Sequence, residues 1–336
     1  MVANDSSLPR VLLLGGSHSL EEAFPEDILA ALSPWAQVLN HRVTGPDWRE
    51  DRELLAQADY LLSTWGVPRL DADFLAAAPR LKGLFYAAGA VKGFVTPEFF
   101  ARGILLSSAV KANAIPVMEY AVATIILSLK NVWRHSREIR RTREWKRLKM
   151  QGAYRSKVGL VSLGAVGRLT AEKLGGYDLE VLAYDPFATP ESAAALGVRL
   201  LPLEDLFAQS DVVSLHTPWL PETENLVGES LLRSMKSGAT ILNTSRGAVI
   251  DEAALCRVLA ERQDLTAVLD VTDPEPPASD SPLFDLDNVF LTPHIAGSMM
   301  GEVARMGSWM VEELLRHIQG QPLQHVVTED MLKRAA

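Results

Sequence analysis

Three residues of this sequence carry the side chains needed to bind a small carboxylic acid and to move a proton at its neighbouring oxygen. Arg246 lies in the segment NTSRG, Glu275 in LDVTDPEP and His294 in TPHIAG. A guanidinium can bind a carboxylate through two parallel hydrogen bonds. An imidazole can donate or accept a proton near neutral pH, and an adjacent carboxylate orients the ring and favours its charged form. Each residue alone is compatible with an ordinary surface or core position, but together they predict an active site.

A dinucleotide-binding motif precedes these segments, in VGLVSLGAVGR (158–168). A strand leads through a turn into a helix, with Ser162, Gly164 and Gly167 at the three glycine positions of the motif. Glycine at the second position lets the backbone approach a pyrophosphate, and glycine at the third allows close packing of helix and strand. The helix N-terminus adds amide donors and a favourable dipole.

Asp185 ends the next apolar segment, AYD, and strengthens this interpretation. A carboxylate at this position accepts hydrogen bonds from the ribose hydroxyls and repels a 2′-phosphate, so the sequence favours NAD over NADP. The alternative is a plain turn residue before Pro186.

The surrounding sequence alternates short apolar segments with helix-like stretches, which predicts an α/β fold with parallel sheets. A first series comprises residues 11–14, 60–63, 84–86 and 104–107, and a second comprises 158–163, 180–184, 212–216, 240–243, 267–270 and 289–291. A boundary between two domains is expected near residues 109–114, where an apolar helix begins.

The composition limits the classes of partner. A chain of 336 residues is long enough for two domains, and a net charge of −9 gives no general attraction to nucleic acid or to anionic membranes. The single cysteine, Cys256, excludes an intrachain disulfide and is compatible with a reducing cytoplasm. Residues 1–10 lack the basic and apolar regions of a signal peptide, and the apolar stretch 114–129 is shorter than the ~20 residues of a membrane span. We expect a cytoplasmic protein with a buried helix there.

The three catalytic segments, by their order and spacing, resemble the NAD-dependent, D-isomer-specific 2-hydroxyacid dehydrogenase family, most strongly over residues 113–297. The resemblance implies that Arg246 binds the substrate carboxylate, that His294 is the acid/base and that Glu275 is its partner. The segment YAAGAVKG (86–93) is similar to the family's substrate loop. The implied substrate-binding residues are Ala88, Gly89, Arg246 and His294.

The resemblance also implies the cofactor site. No metal site is predicted. The alternative to cofactor binding is a structural role, for His216 at a strand end and for Asp270 as a capping residue. The implied cofactor-binding residues are Ser162, Gly164, Ala165, Val166, Gly167, Asp185, His216, Thr217, Pro218, Thr223, Thr244, Ser245 and Asp270.

The implied architecture is two doubly wound parallel-sheet domains with the catalytic cleft between them. A Rossmann NAD-binding domain (111–298) is inserted into a smaller flavodoxin-like substrate domain (1–110 plus 299–336). The basic segment 134–149, which we call the basic arm, contains Trp145 and is expected, with the apolar helix, to form a homodimer interface. Nucleic-acid binding is the competing interpretation of this arm, although charge runs usually face solvent.

An NAD(H)-sensing corepressor and a nucleic-acid-binding protein are the alternatives to an enzyme. A non-enzymatic NAD(H)-sensing corepressor can share this fold and these residues, because fold does not determine function. Formate dehydrogenase belongs to the same superfamily but lacks the glutamate, so Glu275 argues against it. Oxidation of NADH by 2-keto acids distinguishes the enzyme, and salt-sensitive retention on DNA identifies a nucleic-acid-binding protein.

Overall fold

The computed structural model describes residues 8–39, 47–148 and 152–332. Its strands are β1 (Arg10–Leu14), β2 (Gln37–Val38), β3 (Tyr60–Ser63), β4 (Gly83–Tyr86), β5 (Leu105–Ser108), β6 (Lys157–Val161), β7 (Glu180–Tyr184), β8 (Arg199–Leu200), β9 (Val212–Leu215), β10 (Thr240–Asn243), β11 (Thr266–Leu269) and β12 (Val289–Leu291).

Helices occupy much of the chain between these strands, with two further 3-10 turns at Gly247–Val249 and Pro282–Phe284. The α-helices are α1 (Ser17–Ala23), α2 (Glu26–Ala30), α3 (Arg52–Leu55), α4 (Ala72–Ala77), α5 (Pro97–Ala101), α6 (Val110–Leu129), α7 (Val132–Thr142), α8 (Ala165–Leu174), α9 (Pro190–Ala194), α10 (Leu203–Gln209), α11 (Glu229–Ser234), α12 (Glu252–Glu261), α13 (Gly301–Ile318) and α14 (Glu329–Leu332).

The chain separates into two compact units. The first comprises Met1–Asn113 with Ser298–Ala336, and the second comprises Ala114–Gly297. The limits 1–110 with 299–336 and 111–298, and the assignment of substrate and cofactor to these domains, remain predictions.

The first unit contains a five-stranded parallel sheet in the order β2-β1-β3-β4-β5, the order found in flavodoxin-like folds. Helix α13 packs against α1 in the same unit. At Gly307 a Cβ would lie 1.6 Å from the carbonyl oxygen of Ala23, so only glycine permits the helices to approach this closely. The C-terminal segment therefore completes the core of the unit that contains the N-terminal strands.

The second unit contains a seven-stranded parallel sheet in the order β8-β7-β6-β9-β10-β11-β12. The order reverses direction at β6, as in Rossmann folds, and ligands of such sheets bind beyond the carboxyl ends of the strands at this switch point. The prediction of two doubly wound parallel sheets, Rossmann and flavodoxin-like, is therefore confirmed.

Helix α6 is long and apolar enough to cross a membrane by length and composition alone, but 61% of its most apolar 18-residue window is buried inside the protein. Ala121, Ile125 and Leu129 are buried against the strand residues Val158 and Leu160 of the second unit. This packing accounts for its hydrophobicity. The helix starts at Val110, within the range 109–114 predicted for its beginning.

The sequence missed the two-residue strands β2 and β8. Each lies at an edge of its sheet and has one exposed residue, so neither produces the apolar run by which the inner strands were recognised. In the basic arm, α7 continues to Thr142, and residues 143–148 have no regular structure. Lys149, the last residue of that arm, lies outside the described residues.

Candidate active site

His294 and Glu275 form a direct pair. The Nδ1 atom of the imidazole lies 2.6 Å from Oε1 of the carboxylate, and the side chains are 46% and 40% exposed. Because an ionised carboxylate only accepts hydrogen bonds, Nδ1 carries a proton in this pair. Nε2 is then the ring nitrogen available to exchange a proton with a bound molecule.

The backbone of His294 is held in an unfavourable conformation, with φ of +55°. Left-handed backbone is uncommon for residues other than glycine and persists only where surrounding interactions enforce it. Asp270 supplies them, since its backbone oxygen accepts from the amide of His294 at 2.9 Å. Its carboxylate accepts from the amides of Ile295 and Ala296, each at 2.9 Å, and from the Thr292 hydroxyl at 2.6 Å.

Asp270 is therefore an anchor for the histidine loop and is only 2% exposed. This agrees with the capping interpretation that the sequence left open. Its predicted contact with the cofactor remains a prediction: three loop donors occupy the carboxylate, with two bonds at Oδ1 and one at Oδ2.

Arg246 follows β10, the strand next to β11 in the sheet. Its Nη1 atom donates to the Ser245 carbonyl oxygen at 2.6 Å. The buried side chain of Asn243 organises this turn, because its amide donates to the Arg246 carbonyl oxygen while its Oδ1 accepts from the Ser245 amide and hydroxyl. Sequence reasoning missed Asn243, although a polar residue ending the apolar strand TILN was the available signal.

The turn that carries Arg246 packs tightly on the loop that carries Glu275. At Gly247 a Cβ would lie 2.0 Å from the backbone of Thr272, so only glycine fits. Arg246, Glu275 and His294 thus follow three adjacent strands, β10, β11 and β12, at one edge of the sheet. Glu275 and His294 are in direct contact, and Arg246 lies in the neighbouring turn.

A cavity of about 480 Å³ adjoins the pair. Both Glu275 and His294 line it, and most of its remaining wall is apolar, including Pro276, Phe284 and Leu291. Within the residues that the structure describes, no group of three or more metal-ligating side chains occurs.

The dinucleotide motif has the backbone that its glycine positions require. Ser162 has φ of +79°, the left-handed conformation of the glycine it replaces. At Gly167 a Cβ would lie 2.1 Å from the Ser162 carbonyl oxygen, whereas Gly164 faces open space. Gly164 precedes α8, whose first residues are Ala165 and Val166. This open helix N-terminus fits the pyrophosphate of a dinucleotide.

The carboxylate of Asp185 stabilises the same turn. It accepts hydrogen bonds from the backbone amides of Leu163 at 2.7 Å, Phe187 at 2.8 Å and Ala188 at 3.0 Å, and the Ser162 hydroxyl lies at 3.5 Å. Asp185 is therefore a turn residue, which was the alternative considered from the sequence, and its binding of the ribose remains a prediction.

His216 lies beside the motif, with its Cβ 3.7 Å from the position that a Cβ would take at Gly167. Burial lowers the pKa of the His216 imidazole to about 4, so the ring is neutral near pH 7. Nε2 contacts the Ser214 hydroxyl at 3.1 Å, while Nδ1 and the hydroxyl of Thr244 are buried and have no hydrogen-bond partner within the described chain. Two orphaned polar atoms at the strand ends fit a polar cofactor, since buried polar groups normally have partners.

The hydroxyl hydrogens of the other predicted cofactor-binding residues have partners within the protein. Thr217 donates to the Val161 carbonyl oxygen at 3.3 Å, and Thr223 donates to that of Pro218 at 2.6 Å. The Ser245 hydroxyl donates to Asn243. Any contact of these hydroxyls with a cofactor would therefore use the oxygen as an acceptor.

The predicted substrate loop belongs to the first unit. The Ser108 hydroxyl lies 3.0 Å from the carbonyl oxygen of Ala88 and 2.9 Å from that of Gly89, and its single hydrogen is shared between these two acceptors. Ser108, which is 1% exposed at the end of β5, holds the loop and was missed in the sequence because it resembles an ordinary strand residue.

Comparison with known proteins identifies the family. Residues 122–296 match the model of the D-isomer specific 2-hydroxyacid dehydrogenase NAD-binding domain. D-3-phosphoglycerate dehydrogenase of Archaeoglobus fulgidus is 34% identical over 77% of this chain and 49% of its own length. Glyoxylate reductase of Korarchaeum cryptofilum is 32% identical over 84% of this chain and 86% of its own length. The chain spans about half the length of the phosphoglycerate dehydrogenases that it matches.

A solved structure agrees over nearly the whole chain. The apo crystal structure of Rhodotorula graminis D-mandelate dehydrogenase is 25% identical, covers 96% of this chain and 98% of its own, and superposes with a TM-score of 0.78. The two sheets, the dinucleotide motif and these similarities place the chain in the D-isomer specific 2-hydroxyacid dehydrogenase family of NAD-binding oxidoreductases.

Proposed function

We propose that this protein interconverts 2-keto acids and D-2-hydroxy acids with NAD(H), using His294 as the acid/base, Glu275 as its partner and Arg246 to bind the substrate carboxylate. The observation that carries the proposal is the 2.6 Å contact between His294 Nδ1 and Glu275 Oε1. This contact leaves Nε2 as the only ring nitrogen of His294 for proton exchange. His294 follows β12 and Arg246 follows β10, and one strand, β11, lies between them in the sheet.

His294 performs the proton transfer. In reduction its Nε2 donates a proton to the keto oxygen, on which negative charge develops, and in oxidation it accepts the proton from the hydroxyl. Glu275 fixes the ring orientation and stabilises the imidazolium through a charge-assisted hydrogen bond. The four hydrogen bonds of Asp270 to the loop keep the ring in place while its charge changes.

Arg246 binds the substrate carboxylate. One of its guanidinium nitrogens is engaged with the Ser245 carbonyl oxygen, which fixes the side chain near the turn. The remaining N–H donors provide the two parallel hydrogen bonds that a carboxylate accepts. Ala88 and Gly89 contribute the second part of substrate binding through their backbone, whose conformation the Ser108 hydroxyl stabilises.

NAD(H), when bound, supplies or accepts the hydride. The turn from Ser162 to Gly167 and the N-terminus of α8 would hold its pyrophosphate, and the buried polar atoms of His216 and Thr244 would offer it hydrogen-bond partners. Asp185 distinguishes NAD from NADP, because a carboxylate repels a 2′-phosphate. The neighbouring Pro186 and Phe187 provide no compensating cation.

The substrate is a 2-keto acid within the range of the relatives, which include enzymes named for 3-phosphoglycerate, glyoxylate and D-mandelate. The test is a spectrophotometric panel with NADH and NADPH, using glyoxylate, hydroxypyruvate, pyruvate, 2-ketoisocaproate and phenylpyruvate, and 3-phosphoglycerate in the oxidative direction. We expect turnover with at least one acid and preference for NADH. Absence of turnover throughout the panel, with NADH still bound, would contradict the proposal and favour NAD(H) sensing.

We further propose a cytoplasmic homodimer, formed through α6 and the basic arm. The cytoplasmic location is supported by the single, half-buried cysteine. The interface is supported by the exposure of Leu127 on α6, of Trp145 in the basic arm and of Val132 between these two segments.

A further inference from the structure

A chain of hydroxyl groups continues from the histidine loop to helix α6. The Thr292 hydroxyl lies 2.6 Å from Oδ1 of Asp270 and 2.9 Å from the hydroxyl of Tyr120. All three residues belong to the second unit. Neither the catalytic pair nor the dinucleotide motif includes Tyr120 or Thr292.

The donor and acceptor of each hydrogen bond in the series Tyr120–Thr292–Asp270 follow from the number of hydroxyl hydrogens. A threonine hydroxyl has one hydrogen, and the ionised carboxylate of Asp270 can only accept. The Thr292 hydrogen therefore points to Asp270, so Tyr120 must donate to the Thr292 oxygen. Burial raises the pKa of the Tyr120 phenol, and the charge of Asp270 raises it further although the Thr292 contact lowers it, so the phenol keeps its proton.

The carboxylate of Asp270, at the end of this hydrogen-bonded series, needs hydrogen-bond donors. Asp270 is 2% exposed, and a buried charge is costly unless hydrogen bonds compensate it. Two of its three donors are the amides of Ile295 and Ala296, next to His294, and the third is Thr292. Aligned hydroxyls polarise each other, so the donation from Tyr120 strengthens the bond from Thr292 to Asp270.

We propose that Tyr120 is a positioning residue for His294, acting through Thr292 and Asp270. This inference rests on the proposed function of His294 as the acid/base. Without the phenol donor the Thr292 hydroxyl bonds more weakly to Asp270, the carboxylate gains freedom, and its bonds to the amides after His294 open more often. His294 then spends less time at the position from which it reaches the keto oxygen, and a small displacement of a catalytic group has a large effect on rate.

The test is a double-mutant cycle on the full chain with Tyr120→Phe and Thr292→Val, because each substitution removes a hydroxyl and retains most of the side-chain volume. We expect Tyr120→Phe to lower kcat about 3- to 10-fold at saturating NADH, with the Kd of NADH unchanged. Thr292→Val should lower kcat at least as much, and adding Tyr120→Phe to it should have no further effect. Thr292→Ser, which keeps the hydroxyl, should restore most of the activity.

Hydrogen exchange of peptides spanning residues 292–297 provides a readout that does not depend on turnover. We expect Tyr120→Phe to accelerate exchange in this segment but not in residues 158–168. Tyr177→Phe is the matched control, since Tyr177 is 48% exposed and its substitution should alter neither readout.

Two results would overturn the inference. One is wild-type exchange and turnover in Tyr120→Phe. The other is independent, multiplicative losses in the double variant, because Tyr120 would then act by another route. If wild-type protein turns over none of the 2-keto acids, the proposed function fails, and the exchange of residues 292–297 alone decides the role of Tyr120.

Discussion

His294, the proposed acid/base residue, occupies a backbone conformation that is unfavourable for a residue other than glycine. His294 has a positive φ and follows Pro293, and Asp270 compensates with a backbone acceptor and a buried carboxylate. The ring of His294 also forms a short hydrogen bond with Glu275. Its position is therefore fixed by the backbone contacts with Asp270 and by the side-chain contact with Glu275. In the proposed mechanism such a site would place the proton donor accurately, and the rate would fall when the donor alone is removed.

We therefore expect His294→Ala to lower turnover of the best 2-keto acid about 10²- to 10⁴-fold, the usual contribution of a positioned acid/base. The Kd of NADH, measured by fluorescence titration, should change little. His18→Ala removes an exposed imidazole elsewhere and serves as the control. Near-normal turnover in His294→Ala would contradict its assignment.

Arg246 should behave differently, because a guanidinium that binds the carboxylate acts in the ground state as well as in the transition state. In Arg246→Ala we expect KM for the keto acid to rise and kcat to fall, whereas His294→Ala mainly lowers kcat. Steady-state kinetics at saturating NADH separate the two patterns. A changed kcat with unchanged KM in Arg246→Ala would refute the proposed carboxylate contact.

The carboxylate of Asp185 holds the dinucleotide turn and is also proposed to select NAD. Asp185→Ser combined with Phe187→Arg should lower kcat/KM for NADH and raise it for NADPH, because a repulsive charge is lost and a cation is gained. Asp185→Asn is the control that keeps one side-chain oxygen for the turn amides. Wild-type protein that uses NADPH as well as NADH would show that Asp185 does not discriminate.

The imidazole of His216, whose Nδ1 atom is buried, makes stability depend on pH. Its pKa is about 4 in the folded protein and near the ordinary 6.5 in the unfolded chain, so only the unfolded chain binds this proton between those values. The free energy of unfolding therefore falls as the pH is lowered through this window. The decrease between pH 7 and pH 5 should be about 1–2 kcal/mol smaller in His216→Gln than in the wild type.

Urea unfolding at the two pH values measures this difference. His18→Gln, at an exposed position, should keep the wild-type dependence on pH. An equal pH dependence in His216→Gln and wild type would show that His216 is not buried as a neutral ring.

Among the elements, the turn between β6 and α8 shows how glycine positions divide their tasks. Gly167→Ala places a Cβ 2.1 Å from the Ser162 carbonyl oxygen, so the turn must move, and both the Tm of the free protein and the affinity for NADH should fall. In Gly164→Ala the new Cβ has no protein atom within 4 Å, so the Tm should remain unchanged. The affinity for NADH should fall, because the methyl group would face the pyrophosphate in the proposed site.

Gly228→Ala, at another open helix start, should change neither quantity. Thermal unfolding and NADH titration of the three variants test the division. A Gly164→Ala protein that binds NADH normally would exclude a close approach of the pyrophosphate at this residue.

The sequence predicted these elements wherever burial imposes a pattern. The inner strands appear as apolar runs, and β3, β7, β10 and β12 have the predicted bounds. Edge strands β2 and β8 lack such runs. Ser108 and the pair Tyr120–Thr292 were missed because their hydrogen bonds join segments that are distant in the sequence, which no local pattern encodes. Asn243 was missed although its hydrogen bonds to Ser245 and Arg246 are local.

For the whole molecule, the distribution of charge and exposed apolar surface bears on assembly. The protein has a net charge of −9, whereas α7 is basic and contains no fully buried residue. Trp145 in the basic arm is 92% exposed, and Leu127 and Val132 add apolar surface nearby in sequence. Exposed aromatic and apolar groups next to arginines are typical of subunit interfaces, and an acidic second copy complements a basic arm.

We expect a two-fold dimer, with light scattering at micromolar concentration giving a mass of twice 36.8 kDa. Trp145→Glu should shift the mass toward the monomer, because it puts a charge where an aromatic side chain would be buried between subunits. Trp35→Glu, at a tryptophan that is 43% exposed outside the arm, is the matched control and should remain dimeric. A wild-type mass of 36.8 kDa would exclude the dimer. Equal dissociation of the dimer by both substitutions would place the interface elsewhere, because an interface formed by the basic arm is disrupted by a charge at Trp145 and not by one at Trp35.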